Sequence, residues 1–476
     1  MSMQATELGQ RLDSLVVSPW HRRVFWLIAG GLFFDAFDIY IGAGVVADLV
    51  DKGFTERENI AYFLSATSLG LLVGALIGGY TGDRFGRRLM YQFNLLLFGG
   101  ASLLAAAAPN YEILVALRFI MGVGLGAETV LAYATFAEFI PARVRGRWIG
   151  FMGLLANGSL FVASIISYLV IPLLTWRAMF VIVAVPTLIL WRLRKVLPES
   201  PRWLLAHGEP DTANQVVEMF EEESARATRT GTARSEEGAP EVAVAASTES
   251  ELRQQGRLSE LFSRPLLSRT LLGMLFLIAI NYGVYGFVTF VPSEFVSAGF
   301  SVAASLGMTI LISAGAVAGS AFALWRADNY SSQPFIAIIA LLVSISGVFY
   351  AFSGSEIRLI IAGFLLLSFL YCFVVLTQSL YVPMLFPSNL RMRGAGVTSA
   401  AGRLTSVIAP FIVSALIPLW GFSGAVYTIA AVFLVTAILV VIFGADVHRK
   451  NLEQIADEAL AQSRRRDEQQ ERAGTA

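Results

Sequence analysis

The stretch Phe34-Asp35-Ala36-Phe37-Asp38-Ile39-Tyr40 sets two carboxylates three residues apart inside an otherwise apolar run. On a helix that spacing brings both acids to roughly one face. A later apolar run carries Arg118 and Glu128. Ionisable side chains within a lipid-spanning segment are costly, so they normally turn to the protein interior and pair. Desolvation favours a protonated carboxyl, whereas an adjacent guanidinium favours the carboxylate. A group held between these influences can bind a proton from one side and release it to the other. Asp35, Asp38 and Arg118 are therefore the candidate proton-coupling residues, with Glu128 next in line. The plainer alternative is a static Asp–Arg bridge that only orients two helices.

Other chemistry is poorly supplied. Cys372 is the single cysteine, so no intrachain disulfide or thiolate cluster can form. His21, His207 and His448 all fall outside the apolar runs, which leaves no histidine metal site and no Ser/His or Cys/His catalytic set within them. No catalytic residue, metal ligand or cofactor is expected. Gly122-Val-Gly124-Leu-Gly126 has the look of a nucleotide-binding glycine run, yet no strand precedes it and the segment reads as a membrane-length helix. Gly122 and Gly126, four apart, instead suit close packing against a neighbouring helix.

These residues must be positioned by lipid-spanning helices. Hydrophobic residues make up 56% of the 476, with a mean hydropathy of +0.65; soluble domains hold roughly 45–50% apolar residues, so most of this chain belongs in lipid. Runs long enough for the ~20 residues that cross a bilayer core lie at about 24–48, 59–80, 89–108, 111–138, 148–172 and 177–195, then at about 269–296, 302–325, 334–353, 357–385, 395–418 and 423–445. The expected fold is an all-α membrane protein with twelve transmembrane helices in two six-helix bundles. Its expected parts are an N-terminal tail 1–22, a first bundle 23–200, a linker 201–266, a second bundle 267–447 and a C-terminal tail 448–476. Short amphipathic helices are expected at the ends of the linker. Its stretch from Glu221 to Gln255 is too polar to bury the surface that order requires. Nine Arg occupy one set of short loops (84–88, 143–147, 326 and 391–393) against Lys52, Arg57, Arg177 and Arg358 in the other; by the positive-inside rule the Arg-rich side and both termini are cytoplasmic. This segregation of charge fits a lipid bilayer as the partner and argues against nucleic acid.

The two sets of runs repeat in one register. Pro141 and Pro387 each precede an Arg by four residues, Arg145 and Arg391, and sixteen residues past each proline Asn157 matches Arg403. Gly53-Phe-Thr and Gly299-Phe-Ser align the first and seventh runs, pairing Asp35 with Asn281 and Asp38 with Val284. Parallel six-helix repeats are what a rocking two-domain transporter is built from, with substrate near the midplane between the halves.

Several strings carry a family resemblance. Gly79-Tyr-Thr-Gly-Asp83-Arg84-Phe-Gly86-Arg87-Arg88 resembles the G-x-x-x-D-R-x-G-R-R signature of the major facilitator superfamily. Its glycines allow close helix approach and a tight turn, and Asp83 can receive an Arg or a helix N-terminus, which makes a cytoplasmic latch. The corresponding second-half loop keeps only Asp328. Arg118 with the following glycines is similar to the superfamily's R-x-x-x-G-x-G-x-G pattern. Asp35-Ala36-Phe37-Asp38 resembles the D-G-x-D motif of aromatic acid:proton symporters, with Ala36 in place of glycine, and Asp38 falls where sugar porters carry a lone proton-coupling Asp. Pro198-Glu199-Ser-Pro-Arg202-Trp-Leu resembles the string that opens the central loop in sugar porters and their organic-ion relatives. That resemblance implies a cytoplasmic charge network of Glu138, Arg145, Glu199, Arg202 and Arg391 beside the latch, although Met384 stands where the branch usually carries a second Glu.

Arg403, in Ala400-Ala-Gly-Arg403-Leu-Thr-Ser, resembles the helix-11 Arg of organic anion transporters, where it attracts the substrate's charge; a guanidinium can pair bidentately with a carboxylate. The alternative is an Arg that snorkels or bonds backbone carbonyls. Tyr40, Asn157, Asn281, Tyr282, Tyr285, Gln378 and Tyr381 are candidates to complete an amphipathic substrate site, although a lone Asn or Tyr in a bundle often only links helices. The resemblance, which runs from about residue 20 to 447, implies a monomeric, multi-pass inner-membrane protein whose partners are protons and a small molecule. The expected activity is proton-coupled symport of a small organic anion, aromatic or otherwise carboxylic, by alternating access. A sugar porter is the rival reading, disfavoured by Asn281-Tyr282 where a Gln-Gln pair is looked for. A drug:proton antiporter is disfavoured by Ala156-Asn157-Gly158-Ser159, which lacks a Gly-Pro antiport motif.

Overall fold

A computed structural model describes residues 2–230, 258–330, 333–386 and 390–444, and among them every regular element is helical. Apolar runs become helices because a backbone in lipid must satisfy its own hydrogen bonds. Helix α1 (Ser2–Ser14) precedes six long helices: α2 (Pro19–Asp51), α3 (Ile60–Phe85), α4 (Arg87–Ala106), α5 (Tyr111–Phe139), α6 (Ala142–Leu174) and α7 (Trp176–Leu193). The link holds α8 (Pro201–Ala206) and α9 (Pro210–Arg229). The second set begins with α10 (Arg264–Gly283), which continues through a π-helical turn at Val284–Val288 towards α11 (Val291–Ser297). It goes on with α12 (Val302–Tyr330), α13 (Gln333–Ala351), α14 (Glu356–Val374), a π-helical stretch at Val375–Tyr381, α15 (Val382–Met384) and α16 (Arg391–Phe443).

Eleven helical stretches among the described residues are long and apolar enough to cross a membrane, and the last of them runs over 51 residues, too long for one crossing. It breaks at Gly421, whose φ of 67° glycine adopts without steric cost, so the twelve expected crossings are present.

The described residues fall into two compact units, one within Met1–Ala246 together with Phe295–Gly307, the other within Ser247–Glu294 and Met308–Ala476. In the first, small residues let α3 and α5 approach until their backbones touch. A Cβ on Gly122 would press on the Thr67 carbonyl and lie 3.0 Å from Gly70 Cα, and one on Gly126 would lie 2.8 Å from Leu71 Cα. The close approach expected at Gly79 falls instead at Gly78 and Gly82, which face Ala127 and Leu131 of α5, whereas Gly79 faces open space. The second unit uses the same solution between α12 and α14, where Gly315 and Gly319 lie against the carbonyls of Phe364 and Ser368.

The N-terminal segment is not a loose tail. Leu8, Leu12, Leu15 and Val17 are buried in one cluster with Ala213, Val217 and Phe220 of α9. Arg11 donates to both carboxylate oxygens of Glu221 at 2.8 and 2.9 Å, and Val16 N–H donates to Ser224 Oγ at 2.8 Å. The order expected to fail from Glu221 onward therefore persists to Arg229: Phe220, Ser224 and Ala227 continue one buried stripe at helical spacing, despite the polar residues between them. Residues 231–257, the rest of that stretch, and 445–476, which include the expected C-terminal tail, lie outside the described residues.

Candidate functional site

The polar interior of the first unit is built on one face of α2. Gly31, Asp35, Asp38 and Gly42 follow one another at helical spacing, and all four are buried. The two glycines make room for arginines from other helices. A Cβ on Gly31 would collide with the Arg194 guanidinium and lie 2.9 Å from Glu128 Oε1, while one on Gly42 would lie 3.5 Å from Arg118 Nη2. Asp38 and Arg118 form the expected pair, with Nη1 donating to Oδ2 at 2.7 Å and both side chains at most 1% exposed. Aromatic faces wall the guanidinium: its carbon lies 4.8 Å from the Phe63 ring centre and 5.8 Å from that of Phe180. Among the described residues, Asp38 Oδ1 and Arg118 Nε are left without hydrogen-bond partners.

A second buried ion pair lies one turn away, and its basic member was not among the residues picked out by pattern. Arg194, just past α7, pairs with Glu128 of α5. Its Nε also donates to the Leu27 carbonyl at 2.9 Å and its Nη2 to the Ile28 carbonyl at 3.2 Å, and its guanidinium sits 4.9 Å from the Tyr91 ring centre. Asp35 stands beside this pair, with Glu128, Arg194 and Asp38 as its charged neighbours, yet neither of its carboxylate oxygens has a hydrogen-bond partner among the described residues. The signal for Arg194 was present: Glu128, an acid in mid-helix, needs a buried base. The other buried acid on α2, Asp48, is structural, since its Oδ2 accepts from Trp176 N–H at 2.8 Å where α7 begins and its carboxylate meets Lys52 at 3.0 Å.

At the α3–α4 turn, the signature residues assemble around helix ends. Arg87 reaches Asp83 at 2.6 Å and Glu138 at 3.5 Å. Glu199 accepts from Arg87 N–H at 2.8 Å and Arg88 N–H at 3.1 Å, capping α4. Gly86, with φ of 93°, leaves the space its carboxylate needs. Trp203 Nε1 donates to the Asp83 carbonyl at 2.8 Å, and Arg88 Nη2 to that of Lys195 at 2.9 Å. The Pro-Glu-Ser-Pro-Arg-Trp string thus clasps the signature turn from within one unit. Arg84 is exposed and donates to Tyr80 OH at 2.9 Å. Arg145 meets Asp13, in the last turn of α1, at 3.6 Å and the Ile140 carbonyl at 3.2 Å, while Arg202 is exposed. The side chains of Arg391 and Asp328 lie outside those described.

The remaining candidates divide between the units. Tyr40 and Asn157 are half-buried in the first. In the second, Asn281 donates to the Leu277 carbonyl at 2.7 Å and packs against Gly402 of α16, one residue from the half-buried Arg403. Tyr285, in the π-helical turn, lies within the electrostatic reach of Arg403. π-helical turns recur at functional sites because the extra residue re-aims side chains. Tyr282 is buried, its hydroxyl 2.6 Å from Thr428 Oγ1, and Tyr381 packs its buried ring edge-on to Phe276. Gln378, in the other π-helical stretch, is exposed. Asn281, Tyr285 and Arg403 are thus brought together, and Tyr282 and Tyr381 are engaged in the unit's own packing. No group of acids, histidines or cysteines able to hold a metal occurs among the described residues.

Comparison with known proteins matches this architecture. A family model described as sugar (and other) transporter fits residues 27–458. The inner membrane metabolite transport protein YdjE of Escherichia coli is 33% identical, over 95% of this chain and 99% of its own. The niacin transporter NiaP of Acinetobacter baylyi is 30% identical, over 94% and 99% respectively. A crystal structure of a D-xylose–proton symporter superposes with a TM-score of 0.68 at 19% identity, covering 90% of this chain and 99% of the symporter, a likeness of fold.

Proposed function

The chain belongs to the sugar (and other) transporter family of the major facilitator superfamily, membrane transporters and not enzymes, and from that premise we propose that it is a proton-coupled symporter importing a small organic anion. The observation that carries the proposal is the strip on α2: a carboxylate locked to Arg118 and, one turn away, a buried carboxylate with no hydrogen-bond partner. A buried Asp35 without partners has no structural task of the kind that Asp48 performs. It is suited to binding a proton in one access state and giving it up in another, with Asp38 sensing the same change through Arg118. Substrate charge is assigned to Arg403, supported by Tyr285 and Asn281 beside it, because a planar guanidinium and adjacent aromatic and amide groups match an aromatic carboxylate. Niacin, named for the relative in Acinetobacter, is such an acid. The chain is placed in the inner membrane, as its relative YdjE is named, with both termini cytoplasmic and the Asp83–Arg87 turn acting as a cytoplasmic latch.

The sugar-porter reading draws on the Pro198-Glu199-Ser-Pro-Arg202-Trp203 string, which resembles that of sugar porters, and would replace Arg403 by hydroxyl-reading amides. Purified protein in liposomes, given an inward proton gradient and offered labelled nicotinate, benzoate, acetate and xylose in turn, separates the two. Accumulation of an acid upholds the proposal; accumulation of xylose alone overturns its substrate half. Accumulation that ignores the gradient overturns its proton half.

A further inference from the structure

Between α4, α5 and the end of α7 runs a narrow crevice whose walls include Arg87, Arg88, Tyr91, Thr135, Phe139 and Arg194. Arg88 is exposed and Arg194 is fully buried, so the crevice leads from the surface turn to the interior ion pair. Buried polar atoms left without partners follow the same course. On α5, Glu128, Thr135 and Glu138 share one helix face, and Glu128 Oε2, Thr135 Oγ1 and Glu138 Oε2 are all unsatisfied. On α4, the Tyr91 hydroxyl faces Thr135, and neither completes a hydrogen bond of normal geometry. Both oxygens of Asp35 end the series. Buried polar groups are nearly always bonded, to protein or to water. A succession of unsatisfied ones beside a crevice marks a route that water can complete.

We propose that the first unit carries its own proton path, from the α3–α4 turn past Glu138, Thr135 and Tyr91 to the Glu128–Arg194 pair and Asp35. The proposal rests on the proton-coupling reading above and adds the route by which Asp35 exchanges its proton with the cytoplasmic side. During import the Asp35 carboxyl gives up one proton, the hydroxyls of Tyr91 and Thr135 each accept one proton and donate one, aided by water, and a water at the crevice mouth ends as hydronium; no other bond changes. A jump to acid pH at that mouth runs the same steps backwards and protonates Asp35. The groups facing Asp35 are Asp38 on its own helix, Glu128 on α5 and Arg194 beyond α7, with Tyr91 of α4 under the guanidinium. Two carboxylates, Asp35 and Glu128, share one guanidinium, so this cluster has room for one proton without burying a net charge. Arg194, bonded to two α2 carbonyls as well as to Glu128, is the fixed part of the cluster. Asp35 is the part free to exchange.

The test follows the carboxyl C=O band in the infrared after a jump from alkaline to acid pH, on the full chain in liposomes, with the band assigned by its loss in Asp35→Asn. Tyr91→Phe and Thr135→Val keep size and ring while removing the hydroxyls. Each is expected to slow the appearance of the band at least about tenfold, since a positioned proton-transfer group is typically worth 10²–10⁴ in rate, with final amplitude and helix content unchanged. Leu197→Trp, which fills the crevice without touching the relay, is expected to slow it likewise. If the wild type shows the band and all three variants match its rate, the path is refuted while proton coupling through Asp35 stands. If the wild type shows no Asp35 band at any pH, the coupling reading fails and the path with it.

Discussion

Replacing Asp38 by asparagine separates carrying a substrate from concentrating it. With one proton moved per anion, a gradient of one pH unit supplies about 1.4 kcal/mol and sustains at most about a tenfold accumulation; an amide that cannot bind a proton brings the ratio to about one. Exchange of labelled for unlabelled substrate needs only the loaded carrier to reorient, and its rate is set by what happens to the Arg118 pair. Breaking a fully buried ion pair costs about 3–5 kcal/mol. The amide oxygen introduced by Asp38→Asn can still accept from Arg118 Nη1, where Asp38 Oδ2 now stands at 2.7 Å, and a hydrogen bond to a charged group returns about 1.5–3 kcal/mol. The remaining penalty of about 2 kcal/mol slows exchange roughly thirtyfold and does not abolish it. Asp35→Asn removes no hydrogen bond, so it should lose accumulation with exchange close to wild type. The assay is paired: gradient-driven uptake and counterflow in the same liposomes, using whichever acid the substrate panel identifies. Wild-type accumulation with wild-type pH dependence in both variants would refute the reasoning and leave coupling at Glu128.

Three further outcomes follow from the geometry. Gly31→Ala places a methyl where the Arg194 guanidinium lies, so it should lower the thermal unfolding midpoint of the purified protein by an amount approaching the ~3–5 kcal/mol of a broken buried pair, whereas Gly30→Ala, facing Leu190 side-chain carbons at 3.6 Å, should be tolerated. Glu199→Ala strips the cap from α4 and should cost about 0.5–2 kcal/mol of stability, read in the same melt, while Glu199→Gln recovers part of it. The hydrogen bond from Arg11 holds the Glu221 carboxyl below its ordinary value. A depressed acid stabilises the fold above its unfolded value and stops doing so as pH falls through the folded one, so α1 should loosen from α9 only as pH drops below about 4. The effect is small because Glu221 is 39% exposed, and hydrogen exchange of the α1 amides at neutral and acid pH measures it; earlier loosening in Glu221→Gln is expected.

The sequence by itself determined the number and placing of the crossings, because hydrocarbon thickness sets how many consecutive apolar residues a helix must have. It also determined that Asp38 and Arg118 would meet, since lipid leaves a charge few choices but a partner, and that Gly122 and Gly126 would lie in a close helix contact. The glycines of the signature turn were legible as a group but not one by one: whether Gly78 or Gly79 faces α5 depends on a rotation of about 100° that pattern alone does not set. Arg194 was hidden by position, because an arginine at the end of an apolar run is as well explained by reaching the interface as by turning inward. Only the packing of α2 against α5 and α7 turned it towards Glu128 and left Asp35 beside the pair with nothing to bond. In the same way, the N-terminal segment looked like a polar tail and α9 was expected to lose order from Glu221 onward because each alone buries too little; together they share one apolar cluster. Which candidates in the second unit are engaged was decided by tertiary contact too, since Tyr282 meets Thr428 and Tyr381 meets Phe276 across long separations in the chain. A side chain's chemistry is local and readable, but its direction is set by neighbours that the chain brings in from far away.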